Sequence, residues 1–246
     1  MKIIINGANG RMGREVVRCA LEKGCFACAV DKNTEGELAY PVYSSLTQFD
    51  GAADVLIDFS HYLATPAVLE YAVSRSMPAV IATTGQTEAE LAAISAAAEK
   101  IPVFRSANMS LGVALLIRLA KLTAATMKNA DIEIVEIHHN RKLDSPSGTA
   151  LMIADGIKQV RPELHNNTGR NGLGKRAPDE IGISSVRAGN VVGIHEVIVA
   201  TDTQTITLKH EAHDRSLFAE GAIAAAEFIL GKKPGIYTME DVVSEK

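Results

Sequence analysis

Hydrophobic and polar positions along the chain fall into two regimes. Over the first hundred residues, short apolar runs at 2–5, 26–30, 55–59, 79–83 and 103–105 read as β-strands. Between them apolar residues recur at helical spacing: Met12, Val16, Val17, Ala20 and Leu21, then segments 64–75 and 88–99. Strands alternating with helices predict a parallel sheet with helices on both faces. Beyond residue 110 the order changes. Segment 111–127 is strongly helical, 131–139 reads as a strand and 149–160 as a helix. Segment 162–179 is polar and glycine-rich and is expected to be a long mobile loop. Three strand-like runs at 181–187, 191–200 and 205–210 follow without intervening helices, which predicts an antiparallel or mixed sheet. A last helix over 215–230 and a short tail return to the first region. The expected division is residues 1–109 completed by 215–246, and residues 110–214.

The turn after the first strand carries Gly7, Ala8, Asn9, Gly10, Arg11, Met12 and Gly13, a G-x-x-G-x-x-G spacing that opens a helix. The second strand ends in Asp31, eighteen residues past Gly13. Strand, glycine turn, helix, strand and acidic residue in that order form a dinucleotide-binding layout. Glycines let the backbone approach a pyrophosphate, the helix N-terminus favours its charge, and a carboxylate accepts from ribose hydroxyls. Lys32 beside Asp31 could instead pair with the extra phosphate of NADPH, or simply be a solvated lysine. The other strand ends carry small polar residues, including Thr83, Thr84, Asn108 and Ser110, which turn chemistry alone would also explain.

The second concentration of chemistry is HHNRKLDSPSGTAL, beginning at His138. Ser147 has the makings of an N-cap, and the amides of Gly148 and Thr149 would then face outward, ready for a carboxylate. His138, His139 and Lys142 are groups that can hold and release a proton, whereas Arg141 stays charged. A reduction by hydride needs carboxylate anchors and a proton donor together. A purely structural role for the histidine pair, or for S-P-S-G-T as a cap alone, is the plainer alternative. Metal binding is not expected: adjacent histidines on a strand point to opposite faces, and no carboxylate or cysteine completes a set. His61, His165, His195, His210 and His213 read as packed or surface residues.

Bulk composition narrows the choices. Lysine and arginine number 25 against 29 acidic residues, a net charge of −4 that argues against general nucleic-acid binding. No apolar run approaches the roughly 20 residues of a membrane helix, and MKIIINGANG reads as a strand entering a tight turn, not as a signal peptide; a cytoplasmic protein is expected from cysteines that read as reduced. Cys25 and Cys28 have C-x-x-C spacing, but with Cys19 they read as small apolar residues of a reduced core.

The motifs GANGRMG, DFS, ATTG, SANMSLGV, EIHHNRKLDSPSGTAL and VRAGNVVGIHEV span nearly the whole chain in order. Together they resemble the 4-hydroxy-tetrahydrodipicolinate reductase (dihydrodipicolinate reductase) family of bacterial lysine and diaminopimelate synthesis. The resemblance implies a Rossmann-like doubly wound parallel sheet and a smaller α+β substrate domain, whose open mixed sheet builds a homotetramer. It implies NADH or NADPH as cofactor, held by Gly7, Ala8, Asn9, Gly10, Arg11, Met12, Asp31, Lys32, Ala82, Thr83, Thr84, Ala107, Asn108, Met109 and Ser110. By the same resemblance His138 and Lys142 are the catalytic pair, with Lys142 the direct proton donor. His139, Gly148 and Thr149 are implied substrate contacts, beside the capping Ser147. Residue 82 is alanine where many members have glycine, and Lys32 stands where some carry arginine, which leaves the choice of cofactor open. Two rivals fit less well. An aldehyde dehydrogenase would need a cysteine after Cys28, and there is none. A redox-sensing regulator that binds NAD(H) without catalysis leaves the Lys and His cluster unexplained.

Overall fold

The computed structural model describes residues 1–35 and 40–245. The chain divides into two compact units, Met1–Leu111 with Arg215–Lys246, and Gly112–Asp214.

In the first unit the strands are β1 (Ile3–Asn6), β2 (Phe26–Val30), β3 (Val42–Tyr43), β4 (Val55–Asp58), β5 (Ala79–Ile81), β6 (Pro102–Arg105) and β12 (Gly235–Tyr237). They form one sheet in the order β12-β6-β5-β4-β1-β2-β3, parallel throughout. Its helices are α1 (Arg11–Glu22), α2 (Thr65–Ser74), α3 (Glu88–Ala98), α6 (Ser216–Ile229) and α7 (Met239–Ser244). A sheet covered on both faces needs strands that are apolar on both, and β1 (IIIN) is buried at every position. Ile4, Leu56, Ile81 and Val103 pack with Val68, Leu69 and Ile94 of α2 and α3. By alternation Ile3, Ile5, Ile57 and Phe104, also fully buried, face the other side, where α1 and α6 pack together. Chain order reverses between β1 and β4, so the carboxyl ends of these two strands open the crevice in which such sheets bind ligands.

The second unit holds α4 (Leu111–Thr126), β7 (Asp131–His138), α5 (Gly148–Val160), β8 (His165–Thr168), β9 (Glu180–Arg187), β10 (Gly193–Ala200) and β11 (Thr205–Ala212). The sheet order is β11-β10-β7-β9-β8, with β7, β9 and β8 parallel and β10 antiparallel to both β7 and β11. This is the mixed sheet expected from consecutive strand-like runs. One face carries Ile132, Ile134, Val197 and Val199 against Leu116, Ala120, Ile153 and Ile157 of the two helices. Strand β7 alternates strictly, and its buried set runs Ile132, Ile134, Glu136, His138. Two ionisable groups therefore sit on the core face at its carboxyl end.

Two expectations change, and the reading of the cysteines as small residues of a reduced core holds. Segment 162–179 is not simply a mobile loop: it contains edge strand β8, and the rest is tied down by arginines. The Arg176 guanidinium donates to Glu133 Oε1 at 3.1 Å, Asp131 Oδ1 at 2.8 Å and the Ile132 carbonyl at 3.1 Å. Arg170 bridges Glu133 and Glu180. A polar strand (HNNT) carries no apolar period, which is why the pattern missed it. The tail likewise holds β12 and α7, the latter opened by a Thr238–Asp241 capping box. The C-x-x-C spacing marks no redox pair. All three cysteines are free and buried, and burial pushes the Cys28 thiol up to about 12.

Replacing Arg176 by Ala removes donors from the carbonyls of Ile132 and Glu180 at once. The variant should lose about 1–3 kcal/mol of stability and be cut within residues 169–179 by a protease that spares the wild type; an unchanged digestion pattern would contradict this account of the segment.

Candidate active site

In the first unit the glycine turn is shaped by close backbone approach. Gly7 has φ +77°, and a Cβ there would lie 2.6 Å from the Ser60 nitrogen. A Cβ on Gly13 would lie 2.0 Å from the Gly7 carbonyl oxygen. The amides of Gly7 and Ala8 both donate to the Val30 carbonyl, at 2.9 and 3.1 Å, which closes the turn over the end of β2. Gly10 is the N-cap of α1 and offers no side chain to its first amides, and the first turn has no acidic residue. Those donors remain available to an anion. Asp31 accepts the Asn9 amide at 2.8 Å on one carboxylate oxygen and the Asn33 amide at 2.9 Å on the other. Asn9 Oδ1 is buried without a hydrogen-bond partner.

These groups line a cleft of about 710 Å³. It brings together Gly7, Asn9, Gly10, Asp31 and Lys32, and adds Ser44, Ser45, Ser60 and Tyr71. Ala8 is buried beneath it, while Arg11 is exposed and Met12 half-buried on α1. Ala82, Thr83 and Thr84 lie at the end of β5, and Ala107, Asn108, Met109 and Ser110 follow β6; neither group lines this cleft. A hub that the sequence reading noted only as the DFS strand end ties several of these ends together. Asp58, fully buried at the end of β4, accepts from Asn6 Nδ2 at 2.8 Å, Ser60 Oγ at 2.6 Å and Thr83 Oγ1 at 2.7 Å.

In the second unit a buried carboxylate again organises the strand ends. Glu136 is fully buried, and Arg187 of β9 grips it with two parallel hydrogen bonds of 2.9 and 2.8 Å. Its Oε2 lies 2.5 Å from His138 Nδ1, and its Oε1 accepts the Ser147 amide at 3.2 Å. Burial acts to raise the Glu136 carboxyl, but hydrogen bonds from Arg187, Ser185 and His138 outweigh it and hold it at about 2. Arg187 also donates to the Asp144 carbonyl at 2.6 Å, which pins the loop after β7. In that loop the Lys142 ammonium sits 2.9 Å from the Asp144 carboxylate, whose pKa is lowered chiefly by this contact.

Ser147 is the N-cap of α5, its hydroxyl oxygen accepting the Ala150 amide at 3.2 Å. Gly148 is exposed and Thr149 half-buried at the start of that helix, and His139 is half-buried just past β7. The structure thus gathers His138, Lys142 and Ser147 around one loop and one helix start. It corrects the reading of His195 as merely packed. His195 is buried on β10 directly opposite Glu136, with its ring 5.1 Å from that of His138 and its Nε2 3.2 Å from Ser147 Oγ. Burial, and then the charge of His138, push the His195 pKa down to about 4. Glu136, Arg187 and Gly193 lie inside the motifs EIHHNRKLDSPSGTAL and VRAGNVVGIHEV, but the sequence reading gave them no role. The apolar alternation of β7 marks Glu136 as an acid on a buried face, whereas Arg187 meets it only through strand pairing.

Two family models match in tandem: Dihydrodipicolinate reductase, N-terminus, over residues 1–109, and Dihydrodipicolinate reductase, C-terminus, over residues 112–243. The chain belongs to the dihydrodipicolinate reductase family. It is 50% identical to the 4-hydroxy-tetrahydrodipicolinate reductase of Caldanaerobacter subterraneus subsp. tengcongensis, over 100% of this chain and 99% of that one. It is 41% identical to the enzyme of the same name from Clostridium novyi, with the same coverage. Among solved structures, dipicolinate-bound dihydrodipicolinate reductase from Paenisporosarcina sp. TG-14 superposes with a TM-score of 0.83 at 26% identity, covering 98% of each chain. A probable dehydrogenase from Thermotoga maritima, 9% identical with a TM-score of 0.66, shares the fold alone.

Within this family site, Gly193 is the neighbour that leaves room for His138. A Cβ at 193 would come 3.1 Å from His138 Nε2 and 3.4 Å from Cδ2. The ring is held at Nδ1 and cannot simply retreat. Gly193→Ala should therefore lower turnover by about 5- to 50-fold, as small misplacements do, with unchanged affinity for NADH by fluorescence titration. Wild-type turnover in the variant would show that the space beside Nε2 is not used.

Proposed function

We propose that the protein reduces 4-hydroxy-tetrahydrodipicolinate to tetrahydrodipicolinate at the expense of NADH or NADPH, in lysine and diaminopimelate biosynthesis. The observation that carries the reading is the buried His138–Glu136–Arg187 cluster beside Lys142, in a chain matched from end to end by reductases of that name. The dicarboxylate class of the substrate is supported by the dipicolinate bound to the relative from Paenisporosarcina.

The residues of the first unit fit a dinucleotide. The glycine turn admits a pyrophosphate that side chains would exclude, and the uncapped amides of α1 can receive it. Asp31 is oriented by two amides toward the cleft, where a ribose would be bound, and Lys32 with Ser44 and Ser45 can meet a phosphate. The reading therefore admits both cofactors. A bound reduced nicotinamide supplies hydride.

The protein's remaining task follows from the two names. Converting a 4-hydroxy-tetrahydro ring to a tetrahydro ring brings one hydride in and takes one hydroxide out, so one proton is needed to release water. Lys142 is the proposed donor. The pairing with Asp144 holds its ammonium by the loop. His138 supports it with an imidazole fixed at Nδ1 by a carboxylate. Gly148 and Thr149 at the start of α5, with His139, are the proposed carboxylate contacts. The half-exposed outer face of the five-stranded sheet and the largely exposed strand β11 support a homotetramer, because an open sheet of this length needs covering. Among the described residues no helix is long and apolar enough to cross a membrane. A cytoplasmic location fits a biosynthetic reductase.

The test is a coupled assay. The preceding synthase makes the unstable substrate in place from pyruvate and aspartate semialdehyde, and oxidation of NADH or NADPH is followed separately. Consumption should depend on the synthase. Lys142→Ala should lower kcat at least 100-fold, the usual scale of acid–base catalysis, while NADH still binds. Full activity in that variant removes Lys142 from the mechanism. A wild-type protein that binds NADH but consumes none would instead be a sensor without catalysis.

A further inference from the structure

Two imidazoles lie side by side at the end of the second sheet, and only one can carry the proton. The His138 and His195 rings stand at 74° with centroids 5.1 Å apart, so charging both would place like charges in contact in a buried setting. Their partners differ. His138 Nδ1 faces Glu136 Oε2 at 2.5 Å. A carboxylate gripped by both arms of a guanidinium is ionised and only accepts, so this nitrogen must donate. His195 Nε2 instead faces the Ser147 hydroxyl at 3.2 Å. That oxygen accepts the Ala150 amide and keeps a second lone pair and its own hydrogen, so it can meet either tautomer of His195, whose Nδ1 is buried without a hydrogen-bond partner. His195 thus has no carboxylate to hold a proton on it.

We propose that Glu136 is a positioning residue that selects His138, not His195, as the imidazole that holds the proton, and that leaves His138 Nε2 as the end through which it is passed on. The surroundings are consistent. Against His138 stand Glu136 from its own strand, His195 from β10 and, opposite it in register, Arg187 of β9; the following loop carries the Lys142–Asp144 pair, and the Lys142 charge acts on His195. His210 of β11 stands beyond, paired in register with His195. Glu136 is the one anion of this set in contact with either ring. It is held from the far side by Arg187, and its second oxygen receives the Ser147 amide. The same carboxylate thus fixes the tautomer of His138 and the start of α5, and the N-cap serine set there meets His195. Gly193, which carries no side chain, borders His138 at Nε2, where a Cβ would come within 3.1 Å. This inference rests on the reading of His138 as part of the proton path, but its test does not depend on turnover.

The test is nitrogen-15 NMR of the imidazoles in the wild-type protein, with the two signals assigned from His138→Gln and His195→Gln. His138 should carry hydrogen on Nδ1 when neutral and should gain its second proton at higher pH than His195. In Glu136→Gln the gap between the two midpoints should close by at least one pH unit, a tenfold loss of relative proton affinity, while Glu136→Asp keeps the order. Turnover of Glu136→Gln should fall in kcat with an unchanged KM for NADH. If Glu136→Gln does not fold, the wild-type spectra and Glu136→Asp decide the matter alone. A neutral His138 with its proton on Nε2, a His195 that protonates first, or an unchanged gap in Glu136→Gln would overturn the proposal. Failure of the coupled assay with these spectra as expected would count against the proposed reaction and leave this assignment standing.

Discussion

A buried carboxylate costs several kcal/mol unless it is paired and hydrogen-bonded, and Glu136 is fully buried. The fold of the second unit meets that demand at one point. Arg187 reaches it across the β7–β9 pairing, His138 from two residues along its own strand, and Ser147 from the helix start. The demand fixes the ends of two strands, the loop between β7 and α5, and the direction of that helix. Removing Arg187 would strand a buried charge, so the carboxylate and the guanidinium stand or fall together. Its lowered pKa shows which effect wins, because burial pushes the carboxyl up and the hydrogen bonds bring it to about 2.

The first unit solves a similar problem in the same way. Asp58 sits at the end of β4, fully buried, and accepts from the ends of β1 and β5 through Asn6 and Thr83, and from Ser60 in the following turn. In each unit an acid at the carboxyl end of a central strand gathers the neighbouring ends into a fixed rim. Beside the first rim the rim offers amides and open space to an anion; beside the second it offers an ammonium and imidazoles. In the proposed reaction, hydride and proton chemistry fall to different parts of one chain.

Much of this is visible in the sequence because it rests on local rules. The continuous apolar runs of β1 and β4, the glycine turn and the Ser147 cap depend on neighbours within a few residues, and so do α1 and α5. What is hidden depends on strand pairing. Nothing local places Arg187 opposite His138 or His195 opposite Glu136; the β7–β9 and β7–β10 registers do that. Strand β8 was hidden for another reason, since its polar HNNT sequence gains its place from backbone pairing with β9 and not from apolar period. The burial of Glu136 was legible in principle, as the one acid on the inward face of an alternating strand.

In the proposed reaction one hydrogen of the product comes from the nicotinamide, and the protein handles only the proton. The most direct measurement uses NADH carrying two deuterium atoms at C4, in the synthase-coupled reaction in ordinary water, with mass analysis of the product. One deuterium per tetrahydrodipicolinate, bound to carbon and matched by one cofactor oxidised, is the predicted result. A product free of deuterium, or cofactor oxidation without labelled product, would contradict it.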